Sequence, residues 1–229
     1  SMKIVVLAGG LSAERDVSLT SGALVCRTLK SLGHRAVMAD VFLGLSVDAD
    51  IEGLFTAEDD LGETRFIKDS LPKLAEIKAL RAAGSGGQAA LIGPRIVELC
   101  SAADIVFMAL HGEEGENGKL QAAFDLLGIK YTGSGPEGSM LAMNKMLTKQ
   151  ILLGSGLLTA RGFLLCQGEI EPEQAAARYD IPYPCMVKPC GGGSSIGLTK
   201  VQCEQELADA IRLAFTYEDK IIVEEFIIG

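Results

Sequence analysis

The sequence predicts an α/β protein, in which an N-terminal doubly wound parallel-sheet domain precedes a smaller α+β domain. In the first part of the chain, apolar strand-like runs alternate with helical segments, and glycines follow the strands. In the last part, short strand-like runs predominate. The first pattern is typical of strand–helix–strand crossovers, and the second of an antiparallel sheet covered by helices. A hydrophobic fraction of 48% over 229 residues is enough for a substantial core.

The alternating pattern begins at the N-terminus. Lys3–Ala8 is a continuous apolar run that ends in Gly9-Gly10, which predicts a buried parallel strand. Asp16–Leu32 has helical spacing of its leucines and stops before Gly33, a residue suited to a helix C-terminus. Arg35–Asp40 predicts a second strand, so the order strand, helix, strand indicates a right-handed crossover.

The middle of the chain, residues 43–95, is less regular. A helix is predicted around Lys73–Ala83, and the acidic group Glu58-Asp59-Asp60 is better explained as a solvated face than as a metal site. Regular elements then resume with a strand at Ile105–Leu110, a helix at Lys119–Leu127 and a strand at Ile129–Thr132.

Composition changes at residues 133–136 (GSGP), which predicts a domain 1–135 and a domain 136–229. A helix is expected from Ser139 to about Leu153. Its core side carries Leu141, Met146 and Leu152. The later strands are predicted at Phe163–Cys166, Tyr183–Lys188, Gly197–Lys200 and Lys220–Phe226, with helices near Glu173–Arg178 and Glu204–Phe215. This order indicates an antiparallel sheet with helices on one face.

Composition and charge exclude several classes of function. The formal net charge of −9 argues against a nucleic-acid partner or an anionic membrane surface, because both need a basic face. The six cysteines show no CxxC pairing and only two histidines could join them, so reduced thiols are expected rather than disulfides or a metal site. Without a signal peptide or a membrane-length apolar stretch in this sequence, we expect a cytoplasmic protein.

Two common nucleotide motifs do not explain the chain. Gly133-x-Gly135-x-x-Gly138 matches the dinucleotide pattern, but Gly154–Ala160, where the ribose would need an acidic residue, contains none. The P-loop pattern GxxxxGK[ST] is also missing from the sequence. Any nucleotide is therefore expected to bind in another way.

A glycine-rich stretch carries the strongest sign of ligand binding. We call residues 188–197 (KPCGGGSSIG) the glycine loop. Its consecutive glycines let peptide N–H groups turn toward one anion, the hydroxyls of Ser194 and Ser195 add donors, and Lys188 adds positive charge. The residues alone leave a phosphate-binding loop and a flexible hairpin turn open. Lys188 favours the first, because a lysine at the end of a buried strand needs a partner or a ligand.

Two further loops follow strands, at the edge where open α/β sheets place ligands. Glu14 follows Gly9-Gly10 and could hold a substrate ammonium group, although an exposed first-turn glutamate is the simpler interpretation. His111 follows a strand and could donate to a carboxylate or carry a proton, with a structural histidine as the alternative. Lys145 lies within a predicted helix, and by itself it is expected to be solvated.

Six segments together resemble the D-alanine–D-alanine ligase family. They occur in the family's order and span nearly all of the chain: GLSAERDVSL at 10–19, LHGEEGENG at 110–118, YTGSG at 131–135, MNK at 143–145, KPCGGGSSIG at 188–197 and VEEFI at 223–227. The resemblance implies that the second domain is an α+β ATP-grasp lobe. In that fold ATP lies between two such lobes rather than on a P-loop.

The resemblance also implies a reaction. The family joins two D-alanines with ATP and Mg²⁺: the first carboxylate attacks the γ-phosphate to give an acylphosphate, and the amine of the second D-alanine attacks the acyl carbon and releases phosphate. Glu14 would bind the ammonium of the first D-alanine, and His111 would lie near its carboxylate. Ser194 would belong to a hydrogen-bonded set that links Glu14 to a tyrosine further along the chain.

For the nucleotide, the resemblance assigns Lys145 and Lys188 to the ATP phosphates, where they would stabilise charge during phosphoryl transfer. The loop over the phosphates would consist of Gly191, Gly192, Gly193, Ser194 and Ser195. The adenine end would be lined by Glu224, Glu225, Phe226 and Ile227.

The chain also departs from the family pattern. Asn117 and Asn144 stand where the family usually has Asp, which removes charge and keeps hydrogen bonding. The sequence stops at Gly229, before the second lobe and its magnesium ligands, so we expect a fragment that is inactive alone and holds no metal itself. A D-lactate or D-serine ligase and a non-catalytic nucleotide- or amino-acid-binding module remain alternatives. A homodimer is expected only by resemblance.

Overall fold

The computed structural model describes residues 1–56, 73–85, 90–193 and 195–228. The chain divides into two compact units, Ser1–Pro136 and Glu137–Gly229, and each is treated by itself. The acidic group at 58–60 and Ser194 lie outside the described residues. None of the described helices is long and apolar enough to cross a membrane.

A parallel sheet forms the centre of the first unit. Its strands are β1 (Lys3–Ala8), β2 (Arg35–Asp40) and β3 (Ile105–Met108), in the order β2-β1-β3. β1 is central and pairs in parallel with both neighbours. The β1 and β2 predictions are confirmed, and β3 ends two residues earlier than expected. The strand expected at Ile129–Thr132 is reduced to a single bridge between Tyr131 and Val106.

Helices on both faces of this sheet contribute to its packing, and shorter helices complete the described part of the unit. These helices are α1 (Arg15–Ser31), α2 (Ile51–Leu54), α3 (Leu74–Ser85), α4 (Ile96–Ser101), α5 (Glu113–Glu116) and α6 (Lys119–Leu127). Because side chains alternate along a strand, Val5 and Leu7 pack with α4 and α6 residues, whereas Ile4 and Val6 pack with Leu19 of α1. The doubly wound arrangement is confirmed. The short helices α2, α4 and α5 had no clear signal in the sequence.

Two helices open the second unit where one was expected. α7 covers Pro136–Met143 and α8 covers Lys145–Gly154. The single helix Ser139–Leu153 is therefore wrong: Asn144 has extended backbone angles, and its Oδ1 caps α8 by accepting the N–H of Leu147 at 3.0 Å. Leu141, expected on the core side, is 39% exposed.

The sheet of the second unit is antiparallel, as predicted. Its strands are β4 (Gly162–Cys166), β5 (Cys185–Pro189), β6 (Thr199–Val201) and β7 (Lys220–Glu225), in the order β4-β7-β5-β6. A 3₁₀ turn (Pro172–Gln174), α9 (Ala175–Arg178) and α10 (Glu204–Phe215) complete the unit. Leu207 and Ile211 of α10 are buried with Val187 and Val223 of the sheet. This packing fixes the ends of β5 and β7, where the polar residues lie.

Candidate functional site

In the first unit, Glu14 and His111 are joined through Ser12. The Ser12 hydroxyl is buried; it donates to the carbonyl of His111 at 2.6 Å and accepts the N–H of Glu14 at 3.1 Å. Glu14 and His111 are both half-buried. A Cβ at Gly112 would lie 2.7 Å from Oε2 of Glu14, so the carboxylate lies against the loop that follows His111.

A small cavity at the carboxyl ends of β1 and β3 is lined by Ser12 and His111. The cavity walls include Gly10, Ser12, Leu110, His111 and Gly112. The parallel pairing of β1 with β3 explains this arrangement, because the loops after neighbouring parallel strands leave the sheet at the same edge. The loops that carry Ser12 and His111 therefore meet at one cavity, and Glu14 is joined to them through the Ser12 hydroxyl.

A buried ion pair supports the first of these loops, and sequence reasoning missed it. Arg15 is 3% exposed; its Nη1 donates to the carbonyl of Gly10 at 2.5 Å, and its Nη2 pairs with Asp40. Asp40 Oδ1 also accepts the N–H groups of Phe42 and Leu43, at 2.9 and 3.0 Å. Arg15 thus joins the loop after β1 to the loop after β2. Only the fold reveals this, because nothing in the sequence distinguishes these two charges from solvated ones.

In the second unit, Lys145 is the first residue of α8 and contacts the glycine loop. Its Nζ donates to the carbonyls of Cys190 at 3.2 Å and Gly192 at 2.5 Å. The side chain is half-buried rather than solvated, which corrects the expectation from periodicity alone. Burial, and secondarily the charge of Lys188, lowers the pKa of Lys145. The ammonium group therefore lies where positive charge is costly unless an anion is near.

A single buried carboxylate, Glu224, joins two more lysines. Glu224 is 8% exposed; Lys149 Nζ lies 2.6 Å from its Oε2, and Lys188 Nζ pairs with its Oε1. In the register of β5 and β7, Glu224 faces Met186, which puts Lys188 diagonally across on the same face. Burial alone would raise the pKa of Glu224, but its bonds to Lys149 and Lys188 outweigh burial and lower it.

The other residues assigned to the nucleotide are more dispersed. Glu225 accepts the N–H of Arg161 at 2.8 Å, and the Phe226 ring lies beneath the Lys200 ammonium at 3.6 Å. Ile227 is 62% exposed. Gly191, Gly192, Gly193 and Ser195 lie in the described part of the glycine loop, whereas Ser194 does not.

The charges of the second unit favour an anion. Lys145, Lys149 and Lys188 gather near one buried carboxylate, Glu224, so the cluster carries excess positive charge. We call these four residues the lysine cluster. Within the described residues, no group of three or more His, Cys, Asp or Glu side chains could hold a metal ion. The cluster therefore suits a phosphate rather than a metal bound by protein ligands.

Matches to known protein families cover most of both units. Residues 3–134 match the family described as D-ala D-ala ligase N-terminus, and residues 157–229 match D-ala D-ala ligase C-terminus. The D-alanine–D-alanine ligase of Pediococcus pentosaceus is 43% identical over 100% of this chain, which spans 63% of that protein.

Two solved structures extend the comparison. The D-alanine–D-alanine ligase of Bacillus anthracis complexed with ATP shares the fold, with a TM-score of 0.67 and 22% identity over 100% of this chain and 61% of that chain. The VanG D-Ala:D-Ser ligase of Enterococcus faecalis has a TM-score of 0.67 and 26% identity over 99% of this chain and 63% of that chain.

Proposed function

Because the chain belongs to the D-alanine–D-alanine ligase family, we propose that it carries the D-alanine site and half of the ATP site of a ligase that makes D-alanyl-D-alanine. The product would serve peptidoglycan precursor synthesis in the cytoplasm, where ATP is available. One observation carries the proposal: the lysine cluster borders a glycine loop and has more positive than negative charge.

The lysine cluster and the glycine loop are assigned to the ATP phosphates. Lys145 and Lys188 would neutralise phosphate oxygens and stabilise charge that moves during phosphoryl transfer. Lys149 would hold Glu224 in place, so that Lys188 can turn to a phosphate without leaving the buried carboxylate unpaired. The loop residues Gly191, Gly192, Gly193, Ser194 and Ser195 would supply N–H and hydroxyl donors.

The remaining nucleotide contacts are assigned at the end of β7. Glu224, Glu225, Phe226 and Ile227 lead out of the strand, and we propose that this stretch lines the adenine end. Mg²⁺ supplies charge neutralisation between phosphates in such reactions. The described residues do not gather the acidic ligands that this ion prefers, so no step through it is assigned to this part of the protein.

Glu14 and His111 are assigned to the first D-alanine. A half-buried carboxylate attracts an ammonium group, and the imidazole of His111 can donate to a carboxylate. Ser12 connects the two loops through its two hydrogen bonds. Ser194 is proposed to belong to the hydrogen-bonded set that includes Glu14.

Ligation of D-alanine to D-serine is a second candidate, because one similar structure is a D-Ala:D-Ser ligase. D-lactate is a further second substrate within the same chemistry. We also propose a homodimer, on the family's precedent alone.

The proposal is tested first by ATP binding to this chain, measured by calorimetry. We expect the unmodified chain to bind ATP weakly and Lys188→Ala to bind it more weakly still. Lys220 is an exposed lysine of β7, so Lys220→Ala serves as the control and should leave the affinity unchanged. No binding by the unmodified chain would contradict the nucleotide assignment. In a full-length protein that contains this chain, D-alanine-dependent release of phosphate tests the ligase reaction itself, and replacing D-alanine by D-serine separates the two candidates.

A further inference from the structure

One peptide group of the glycine loop is held from both sides. The carbonyl of Cys190 accepts the Lys145 ammonium at 3.2 Å. The N–H of the same peptide group, on Gly191, donates to both carboxylate oxygens of Glu218, at 2.8 and 3.1 Å. Since C=O and N–H point in opposite directions across a trans peptide, the ammonium and the carboxylate lie on opposite sides of the chain.

The turn after α10 contacts both ends of the loop. A Cβ at Gly191 would lie 2.6 Å from Oε1 of Glu218, and a Cβ at Gly197 would lie 2.8 Å from Cδ2 of Tyr217. Gly197 also has φ +74°, a conformation that side chains disfavour. Glycine at both positions therefore lets residues 217 and 218 pack directly against the loop backbone.

This arrangement has a consequence for anions. A backbone N–H in a glycine-rich loop is a donor that phosphate groups use, and here a carboxylate already occupies it. On the other side, the Lys145 ammonium already donates to the carbonyls of Cys190 and Gly192. Two donors that an anion could use, the N–H of Gly191 and the Lys145 ammonium, are thus occupied by groups of the chain itself.

We propose that Glu218 competes with nucleotide phosphate for the N–H of Gly191 and thereby sets the affinity of this chain for ATP. The inference rests on the proposed nucleotide function of the lysine cluster. A phosphate that takes the N–H of Gly191 must displace the Glu218 carboxylate, because the two negative charges repel at hydrogen-bond distance. Release of Glu218 also frees the Cys190–Gly191 peptide to turn its carbonyl away from Lys145.

The test compares two variants of this chain that remove the same charge from adjacent residues. Glu218→Gln replaces the charged acceptor of the Gly191 N–H by a neutral one, whereas Asp219→Asn removes the charge of an exposed neighbour. ATP affinity is measured by calorimetry, and the Gly191 amide signal is followed by NMR. We expect Glu218→Gln to bind ATP about fivefold more tightly and to shift the Gly191 amide, with Asp219→Asn within about twofold of the unmodified chain.

The outcomes separate this inference from the function on which it rests. Unchanged or weaker ATP binding by Glu218→Gln overturns the inference, as does equal tightening by both variants, which would indicate general charge rather than the contact. If the unmodified chain and both variants all fail to bind ATP, the proposed nucleotide function is overturned and the inference with it. Circular dichroism of each variant verifies that the fold is retained.

Discussion

Arg15 in the first unit and Lys145 in the second unit both begin a helix, yet their surroundings differ. Each is the first residue of a helix, each is largely or partly buried, and each donates to carbonyls of a glycine-containing loop. Arg15 has its own ion-pair partner, the largely buried carboxylate of Asp40. Among the described residues, no carboxylate lies within ion-pair distance of Lys145. A cation at a helix N-terminus opposes the helix dipole, so the missing partner is informative.

We propose that the difference separates a cation that stabilises the fold from a cation that binds a ligand. The pairing of Arg15 with Asp40 is complete, and it connects loops of the first unit. Glu218 and Glu224 attract the Lys145 ammonium without forming an ion pair with it, and burial together with the charge of Lys188 still lowers its pKa. The comparison therefore predicts that similar mutations in the two units affect different properties.

The largest expected effect is on the stability of the first unit. Asp40→Ala leaves the Arg15 charge buried without a partner, and we expect the free energy of unfolding to fall by about 3–5 kcal/mol in urea titrations. The matched control is Glu52→Ala, which removes the 68% exposed partner of Lys3 and is expected to cost less than about 1 kcal/mol. Equal losses in the two variants would contradict the structural role of the buried pair.

The next effect is on nucleotide binding in the second unit. Lys188→Ala should weaken ATP binding by about tenfold, equivalent to about 1.4 kcal/mol, because one charge contact to phosphate is lost. Glu224 keeps Lys149 as a partner, so the fold is expected to survive. Calorimetry with ATP provides the measurement, and unchanged affinity would remove Lys188 from the phosphate site.

A smaller effect is expected at the link between Glu14 and His111. Ser12→Ala removes two hydrogen bonds of a buried hydroxyl, and we expect a loss of about 1–2 kcal/mol in the free energy of unfolding. Ser31→Ala, at an exposed serine near the end of α1, is the control and should be nearly neutral. In a full-length protein, the KM for D-alanine should rise with Ser12→Ala more than kcat falls. A selective loss of kcat would contradict the positioning role.

The smallest effect concerns pH. The pKa of Glu224 is lowered in the folded chain, so its stabilising contribution is present above the ordinary glutamate pKa of about 4.3 and is lost as pH falls through the folded value. In urea unfolding between about pH 3 and 6, the free energy of unfolding should fall less steeply with acid in Glu224→Gln than in the unmodified chain. An identical pH dependence in both proteins would argue that Glu224 titrates normally.

The sequence predicted some of these residues better than others. The glycine loop and Lys188 were identified from local chemistry, because consecutive glycines and a lysine at a strand end are adjacent in the chain. Glu14 and Lys145 required the family resemblance, since each by itself resembles a solvated charge. Arg15, Asp40 and Glu218 were missed, because their partners come from distant parts of the chain and only the fold brings them together.

In the fold, too, some elements were predicted from the sequence and others were missed. Strands of the two sheets followed from apolar periodicity, and α10 was predicted with its observed bounds, Glu204–Phe215. The break between α7 and α8 was missed because Asn144 sits within a helical pattern, and its capping role appears only in its bond to Leu147. That break makes Lys145 the first residue of a helix, beside the glycine loop.

The most direct test makes the same change at both helix starts, Arg15→Met and Lys145→Met, and measures the free energy of unfolding and ATP binding for each. We expect Arg15→Met to lose about 3–5 kcal/mol of stability, because the largely buried Asp40 carboxylate is left without its ion-pair partner. Lys145→Met should stay within about 1 kcal/mol of the unmodified chain, because relieved charge burial offsets lost hydrogen bonds, while ATP affinity falls about tenfold or more. Unchanged ATP affinity together with a large loss of stability in Lys145→Met would contradict the assignment of the lysine cluster to phosphate binding.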